Sequence, residues 1–316
     1  MNENNAFDEL QPYLVGKPRP IIGAQTVQLI MIREILDYTV LRTEETRELN
    51  TVHTPLSVAK SDESVRRVAF LATKQKAAES RELEHILRTA TSKAGLVGYP
   101  ECYLKDNLCM KCPRCGLYGG TSTVAGQRER ANIKHRIEYS TAFSLLPFDD
   151  IGTVLTFNAI DDHNQTTGQA LGQRFAVQPA TLFPSVITLK SATQRELILT
   201  VKTLLSCKSY GAESRIGGDT RNSIWGIIAG WEEVITSLEL TLELADKPDA
   251  LYPETIRQII QDKYVPMAGN PKHVVVIEPA AVEMLVKACA ETDLDKAFLQ
   301  KAYQDIADYH SEQPVS

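Results

Sequence analysis

The sequence lacks the features that mark several large classes of protein. No apolar run approaches the roughly 18 residues that a membrane-spanning helix needs. Residues 1–10 are polar and acidic, without the basic and apolar regions of a secretory signal, so we expect a cytoplasmic protein with no membrane partner. The motifs HExxH, GxSxG, GxxxxGKS and GxxxxGKT are absent, which excludes the commonest zinc-protease, serine-hydrolase and P-loop nucleotide sites.

Positive charge is also scarce. The chain has 34 Lys and Arg against 40 Asp and Glu, and this net charge of −6 argues mildly against a nucleic-acid partner. The charge is uneven, however: residues 101–145 carry seven basic and four acidic side chains, whereas residues 246–316 carry seven and twelve. Because a phosphate-binding groove needs only local basic density, the acidic C-terminal quarter does not exclude one.

The hydrophobic patterns predict a sheet that carries helices. Thr193 and Glu196 form a T-x-x-E capping box, which predicts a helix over residues 194–206. Leucines that alternate with polar residues over 234–244 predict a strand buried on one face. Further strands are predicted over residues 26–43, 136–145, 153–160, 185–190 and 274–277. For residues 26–43 the alternative is a helix with Val27, Ile30, Met31 and Ile35 on one face. Several strands around one capped helix, with no regular βα alternation, predict an α+β fold.

The remaining segments are predicted to be helical or exposed. Residues 64–94 contain a charged helical stretch, and helices are predicted to begin near Pro253 and Pro279 and to cover residues 293–309. Residues 161–174 are polar, contain glycine and show no core periodicity. That pattern is typical of an exposed loop or a hairpin tip.

Four of the six cysteines lie close together, at Cys102, Cys109, Cys112 and Cys115. Four thiolates match a tetrahedral zinc ion and leave no open position for water, so the spacing predicts a structural zinc. Two C-x2-C pairs share Cys112, which crowds such a site, and a histidine such as His135 in place of one cysteine is an alternative. An iron–sulfur cluster, a redox pair Cys112–Cys115 and a site without metal are the other interpretations.

Three basic segments are candidate phosphate contacts. Residues 127–136 follow a glycine-rich run, residues 208–222 directly follow the capped helix, and residues 17–20 alternate basic side chains with proline. Guanidinium and ammonium groups bind phosphate, and glycine lets the backbone approach it. Each segment on its own also fits a solvated charged surface. The candidate residues are Lys17, Arg19, Arg128, Arg130, Lys134, Arg136, Lys208, Gly211, Arg215, Gly217, Gly218 and Arg221.

No convincing catalytic set is present. The acidic pairs Asp149–Asp150 and Asp161–Asp162 lie near predicted loops, where paired aspartates are more often turn formers than magnesium ligands. We therefore expect a protein that is not an enzyme.

The segments SYGAESRIGGDTRN (209–222) and IKHRIEYSTAFSL (133–145), together with the order of these parts, resemble the repeat-associated RNA-binding (RAMP) superfamily. The similarity is greatest to the Csc family, the backbone subunit of type I-D CRISPR Cascade. It implies a modified ferredoxin-like (RRM-type) core with inserted helical, zinc-binding and thumb-hairpin elements. Members of the superfamily stack along a guide RNA (crRNA), and their thumb displaces a guide base at intervals.

The resemblance also implies a division of this chain. Residues 1–60 and 136–245 are expected to form the core, with a thumb insertion over about 158–180 whose tip lies in 161–174. Residues 61–135 are expected to form an inserted helical and cysteine-rich region, and residues 246–316 a helical region packed on the core. In this interpretation Arg215 and the glycines around it lie under the guide backbone, and Arg128, Arg130, Lys134 and Arg136 line the same groove.

The expected partners are crRNA, target DNA with RNA as a second target, the large and cap subunits of the complex, and further copies of the chain. RNA would be held through phosphates and shape, because one subunit accepts any guide sequence. Two alternatives from other classes stay open. One is guide-dependent RNA cleavage by a thumb aspartate, Asp161 or Asp162, and the other is a general single-strand-binding zinc protein.

Overall fold

The structure, a computed structural model, describes residues 7–42, 48–99, 102–103, 108–121, 132–161, 163, 166–212 and 217–313. Within these ranges no helix has both the length and the apolar character needed to cross a bilayer. The strands are β1 (Thr26–Ile35), β2 (Thr51–Pro55), β3 (Ser64–Phe70), β4 (Gly120–Thr121), β5 (Asn132–Ile133), β6 (Ile137–Tyr139), β7 (Ala142–Phe143), β8 (Gly152–Asp161), β9 (Thr166–Val177), β10 (Leu182–Lys190), β11 (Thr220–Gly230) and β12 (Val275–Val276). The helices are α1 (Ala72–Lys93), α2 (Pro113–Tyr118), α3 (Phe148–Ile151), α4 (Gln194–Ser206), α5 (Ser237–Ala245), α6 (Pro253–Ile259), α7 (Val265–Met267), α8 (Pro279–Glu291) and α9 (Lys296–Ser311), with a π-helical turn between α6 and α7.

A central antiparallel sheet organises the molecule. Its strand order is β12–β11–β1–β10–β6, so the first strand lies in the middle and pairs with both β10 and β11. The chain passes through β1, α1, β6, β10, α4 and β11 in that order, and α1 packs against α4. The α+β class predicted from the sequence is therefore confirmed.

Both faces of the central sheet are covered. Leu29 and Met31 of β1 belong to the hydrophobic cluster beneath α1, α4, α8 and α9. Ile30 and Ile32 of the same strand belong to a second cluster, beneath α5 and α6. A strand covered on both sides is buried along its length, and nine of the ten residues of β1 are buried. Among the described residues, helices thus cover both faces of this sheet, and its ends, edges and loops are more open to a ligand.

Residues 234–244 are helical, and the predicted strand there is wrong. Thr236 and Glu239 form a second T-x-x-E capping box, which starts α5 at Ser237. The hydroxyl of Thr236 accepts a hydrogen bond from the amide of Glu239, and the Glu239 carboxylate accepts one from the amide of Thr236. The buried residues Leu240 and Leu244 are four positions apart, so helical spacing outweighs the two-residue alternation of leucines.

Other elements follow the sequence more closely. The capped helix α4 spans Gln194–Ser206 as predicted, with both hydrogen bonds of its capping box formed. The C-terminal helices α6 and α8 begin at Pro253 and Pro279. Residues 64–94 divide into β3 and α1, and α1 packs on α4. The reason is its buried face, where Leu83 and Leu87 join the cluster beneath the central sheet.

Strands β8 and β9 form a two-stranded hairpin of their own. Its base is buried at Ile151, Ala176 and Val177, whereas Val154 and Phe175 a few residues further along are exposed. The strands run through Asp161 and resume at Thr166. The predicted loop over 161–174 is therefore mostly strand.

Candidate nucleic-acid interface and metal centre

One short segment joins the hairpin to the glycine-bearing loop. Residues 36–41, here called the junction segment, follow β1 directly. The amide of Leu36 donates to the carbonyl of Asp219 (2.8 Å), and the amide of Ala212 donates to the carbonyl of Val40 (3.0 Å). Thr39 and Val177 exchange both backbone hydrogen bonds. The base of the hairpin and the loop before β11 are thus fixed to the same stretch of backbone.

The loop of residues 208–220, here called the glycine loop, has a paired stem. The amide of Gly211 donates to the carbonyl of Gly217 (3.0 Å), and that of Thr220 donates to the carbonyl of Lys208 (2.8 Å). Gly218 has φ +67°, and a Cβ there would lie 2.6 Å from the Gly211 nitrogen. Both the conformation and the close approach require glycine at this position. Arg215 lies outside the described residues.

The surface near this stem carries cations and one exposed aromatic ring. Lys208 is exposed, and Arg221 lies 3.4 Å from Glu34 with 58% of its side chain exposed. Tyr38 of the junction segment is 41% exposed. Phosphates bind such guanidinium and ammonium groups, and bases stack on exposed rings. The sequence interpretation missed the junction segment, because it placed these residues inside a strand predicted over 26–43, whereas β1 ends at Ile35.

The basic residues predicted to share one groove are divided between the two ends of the sheet. The glycine loop lies where β1 ends, since Ile35 pairs with Thr220. Lys134 lies where β1 begins, because the amide of Lys190, the partner of Thr26, donates to the carbonyl of Arg136. Ten residues of strand separate these ends by about 30 Å. Lys134 and the glycine loop therefore lie at opposite ends of β1.

Arg136 is not a surface residue. Its side chain is 0% exposed and forms a two-pronged ion pair with Glu196, and it also donates to the carbonyl of Ser191 (3.0 Å). Burial lowers the pKa of Arg136, but the charge and hydrogen bonds of Glu196 raise it above its ordinary value. Arg136 thus joins β6 to the start of α4, and its predicted role as an RNA contact is wrong.

The other basic candidates near the start of β1 lie on the surface. Lys17 pairs with Glu312 at 2.8 Å, and both side chains are exposed. Lys17, Arg19 and Lys301 line an open cavity of about 610 Å³ with no acidic residue in its lining. Arg128 and Arg130 lie outside the described residues. The second end of the sheet therefore also offers cations to an anionic strand.

The four clustered cysteines converge in space. Their Sγ atoms all lie within 4.8 Å of one another, and those of Cys102 and Cys115 are 3.4 Å apart. Four sulfurs around one zinc at about 2.3 Å would lie about 3.8 Å from each other. His135 is not part of this group. The donor set and its spacing fit one tetrahedral metal ion, with all four cysteines as ligands.

Local backbone geometry holds the sulfurs in place. Cys112 caps α2, and its Sγ accepts a hydrogen bond from the amide of Cys115 (3.4 Å), while the Sγ of Cys109 accepts one from Lys111 (3.5 Å). Hydrogen bonds from the other three thiols hold the pKa of Cys115 well below its usual range, whereas contacts with Cys102 raise the pKa of Cys109 and of Cys112. The four thiols therefore do not ionise independently.

The cysteine cluster connects three helices. Arg88 of α1 donates to the carbonyl of Cys102 (2.6 Å), and α2 carries Cys115. A Cβ at Gly116 would lie 2.3 Å from Ile306 of α9, so α2 and α9 approach closely. A metal ion held here would tie the cysteine-rich segment to both α1 and the C-terminal helix.

One comparison with a solved structure supports this fold. The crystal structure of Csc2 from Thermofilum pendens is 21% identical, with a TM-score of 0.63 over 96% of this chain and 94% of that chain. A chain of a CRISPR RNA-guided surveillance complex is 12% identical, with a TM-score of 0.47 over 83% of this chain and 98% of that chain. A chain of such a complex in a pre-nicking state is also 12% identical, with a TM-score of 0.49 over 84% of this chain and 100% of that chain. No curated protein matches the chain.

A family comparison covers nearly all of the sequence. The model of the Csc2 CRISPR family matches residues 9–311, which include the central sheet, the hairpin, the glycine loop and the four cysteines. The chain therefore belongs to the Csc2 CRISPR family.

Proposed function

We propose that this protein is the guide-RNA-binding backbone subunit of a type I-D CRISPR surveillance complex. Family membership over residues 9–311 supports a role in CRISPR defence. The observation that carries the binding role is the junction segment, to which both the long hairpin and the glycine loop are hydrogen-bonded. A strand of RNA lying on the glycine loop would meet the base of the hairpin, which is what a thumb that displaces guide bases needs.

The central sheet supports a modified ferredoxin-like core. Four strands of the central sheet, β1, β6, β10 and β11, are numbered 1 to 4 in chain order. Across the sheet they lie in the order 4-1-3-2. Helix α1 lies between β1 and β6 in the chain, α4 lies between β10 and β11, and both pack on one face, as the proposed ferredoxin-like core requires. Because α5 and α6 cover the other face, RNA would be bound at the ends of the sheet and not on its surface.

The proposed RNA contacts fall into two groups. At the end of β1 they are Lys208, Gly211, Gly217, Gly218 and Arg221, with Arg215 of the loop outside the described residues. At its start they are Lys17, Arg19 and Lys134, with Arg128 and Arg130 outside the described residues. A single strand that runs the length of the sheet would reach both groups. Contacts of this kind hold the backbone and carry no sequence preference.

We propose that the cysteine centre holds structural zinc. Four thiolates satisfy the ion completely, so it would have no position open for substrate or water. Its contribution would be to fix the cysteine-rich segment against α1 and α9. The protein would then act by binding, with crRNA, target DNA, the large and cap subunits and further copies of itself as partners.

The defining experiment is native mass spectrometry of the protein co-expressed with a CRISPR array. We expect several copies on one small guide RNA, with about one zinc per copy. A monomer or small oligomer free of RNA would contradict the backbone role. A single copy bound to random RNA would instead favour the general single-strand binder.

The glycine-loop cations are expected to contribute to affinity through phosphate contacts. In the double variant Lys208→Ala/Arg221→Ala, the affinity for labelled single-stranded RNA should fall about tenfold or more. The slope of log affinity against log salt should become shallower by about 1 to 1.5, because about two phosphate contacts are lost. Fluorescence anisotropy over a range of salt concentrations measures both quantities.

Lys287→Ala is the matched control for this double variant. Lys287 is an exposed lysine of α8 that lies 3.8 Å from Glu291 and belongs to neither proposed contact group. Its removal should change affinity less than about twofold and leave the salt slope as it was. An equal loss in control and double variant would mean that binding follows net charge and not the glycine loop.

The assembled complex is expected to leave a complementary target RNA intact. Asp161 is the last residue of β8, and Asp162 lies outside the described residues. Wild-type complex and the variant Asp161→Ala/Asp162→Ala should both return full-length labelled RNA on a denaturing gel, with and without Mg²⁺. Cleavage by the wild type that disappears in the variant would establish the nuclease alternative.

A further inference from the structure

A fully buried ion pair lies beneath the glycine loop. Arg33 of β1 and Glu79 of α1 are both 0% exposed, with 2.7 Å between guanidinium nitrogen and carboxylate oxygen. Burial lowers the pKa of Arg33, but the charge of Glu79 raises it above its ordinary value, so the guanidinium stays charged. Such a pair is costly to disturb, because either charge left alone would lose both water and partner.

Tyr210, directly before Gly211, is the glycine-loop residue that reaches this pair. Its hydroxyl donates to Glu79 (2.7 Å) and accepts from Arg33 (3.1 Å) and from the side-chain amide of Asn222 (2.8 Å). The same amide donates to the carbonyls of Leu204 and Cys207 at the end of α4. One phenol oxygen therefore connects the loop to β1, α1 and β11 directly, and to α4 through Asn222.

The ring of Tyr210 is held as firmly as its hydroxyl. It is 3% exposed, packs edge-on against Phe70 with 5.2 Å between ring centroids, and lies 5.4 Å from the guanidinium of Arg33. Its backbone amide donates to the carbonyl of Gly218 (3.4 Å), across the stem of the loop. A glycine-bearing loop has little stiffness of its own, so the conformation of its stem depends on this anchor.

We propose that Tyr210 is a positioning residue whose contacts with Arg33, Glu79 and Asn222 hold the glycine loop in the conformation that binds a nucleic-acid strand. This inference rests on the proposed RNA-binding function. The stem of the loop is then fixed before RNA binds, and folding has already met the cost of ordering it that would otherwise weaken affinity. The phenol itself is buried and does not touch the strand.

The chain contains a matched control on the same carboxylate. Tyr139 of β6 donates to the other oxygen of Glu79 at 2.6 Å, and its hydroxyl also contacts that of Tyr118 (3.0 Å). Tyr139 has no contact with the glycine loop among the described residues. Tyr139→Phe thus removes a buried phenol hydrogen bond to Glu79 as Tyr210→Phe does, but from the side away from the loop.

The experiment compares Tyr210→Phe, Tyr139→Phe and wild type, each with its metal bound. Tyr210→Phe should weaken binding of labelled single-stranded RNA about five- to tenfold and speed amide hydrogen exchange in peptides covering residues 208–220. The salt slope should stay as in wild type, because no phosphate contact is removed. Both variants should lower the unfolding midpoint by similar amounts, because each loses one buried hydrogen bond to Glu79. Tyr139→Phe, however, should keep its RNA affinity within about twofold of wild type.

Equal losses of affinity in the two variants would overturn the inference, since Tyr210 would then act only through general stability. Wild-type affinity and exchange in Tyr210→Phe would overturn it as well. If Tyr210→Phe does not fold, Asn222→Ser takes its place, because it removes one hydrogen-bond partner of the phenol. This variant too should bind RNA more weakly and exchange amide hydrogens faster in residues 208–220. Failure of wild type to bind RNA would contradict the proposed function, while hydrogen exchange would still decide whether Tyr210 holds the loop.

Discussion

Replacing Glu196 with alanine is expected to lower the free energy of unfolding by about 3–5 kcal/mol. The substitution leaves Arg136 charged in a site where it is 0% exposed, with Ser191 as its remaining hydrogen-bond acceptor among the contacts described. It also removes the carboxylate that accepts from the Thr193 amide at the start of α4. Urea unfolding followed by circular dichroism measures the effect, and an unchanged m-value would show that the unfolded state is unaffected.

The second capping box supplies the control for this prediction. Glu239 occupies the same position relative to Thr236 that Glu196 occupies relative to Thr193, but it is exposed and has no buried arginine beside it. Glu239→Ala should therefore cost only about 1 kcal/mol, the value of a lost cap. Equal losses in the two variants would mean that the ion pair with Arg136 adds nothing to the cap.

Replacing Cys112 with alanine is expected to remove the metal and much of the stability. Zinc should fall from about one ion per chain to nearly none, because three thiolates remain at a site shaped for four. Structural zinc contributes many kcal/mol to small domains, so the thermal midpoint should fall by on the order of 10 °C or more. Elemental analysis by mass spectrometry and a thermal unfolding scan measure the two effects.

Cys289→Ala is the matched control for the loss of a buried cysteine. Cys289 and Cys112 are both 0% exposed, but Cys289 lies in α8, outside the cluster. Cys289→Ala should keep the metal, and its free energy of unfolding should fall only slightly, because one buried thiol is lost. Iron with a visible absorption band in place of zinc would establish the iron–sulfur alternative, and wild-type protein without metal would contradict the metal centre altogether.

Local signals in the sequence predicted the parts of the fold that depend on local chemistry. The box of Thr193 and Glu196 located α4 to the residue, since both of its hydrogen bonds form within four positions. The equivalent box at Thr236 was overlooked because leucine alternation pointed to a strand. A capping box fixes a helix start through specific hydrogen bonds, whereas leucine alternation over a few residues is compatible with either structure.

The sequence could not predict which charges are buried or how distant segments meet. Arg136 and Lys134 are two positions apart, yet one is paired inside the protein and the other is exposed. The separation of Lys134 from Lys208 follows from the register of β1, β10 and β11, which only the assembled sheet defines. The cysteine spacing was more informative, because the two C-x2-C pairs bring their sulfurs together within one short segment.

The central sheet ends at very short strands. β6 has three residues and β12 has two, and β12 pairs with β11 only at Ile228 and Ala229. Residues 221–226 of β11 are therefore not paired with β12 on the outer edge of the sheet. Open strand edges are templates to which a further strand adds through main-chain hydrogen bonds. In the proposed assembly, an extended segment of a neighbouring subunit would be held at this edge by its backbone, whatever its side chains.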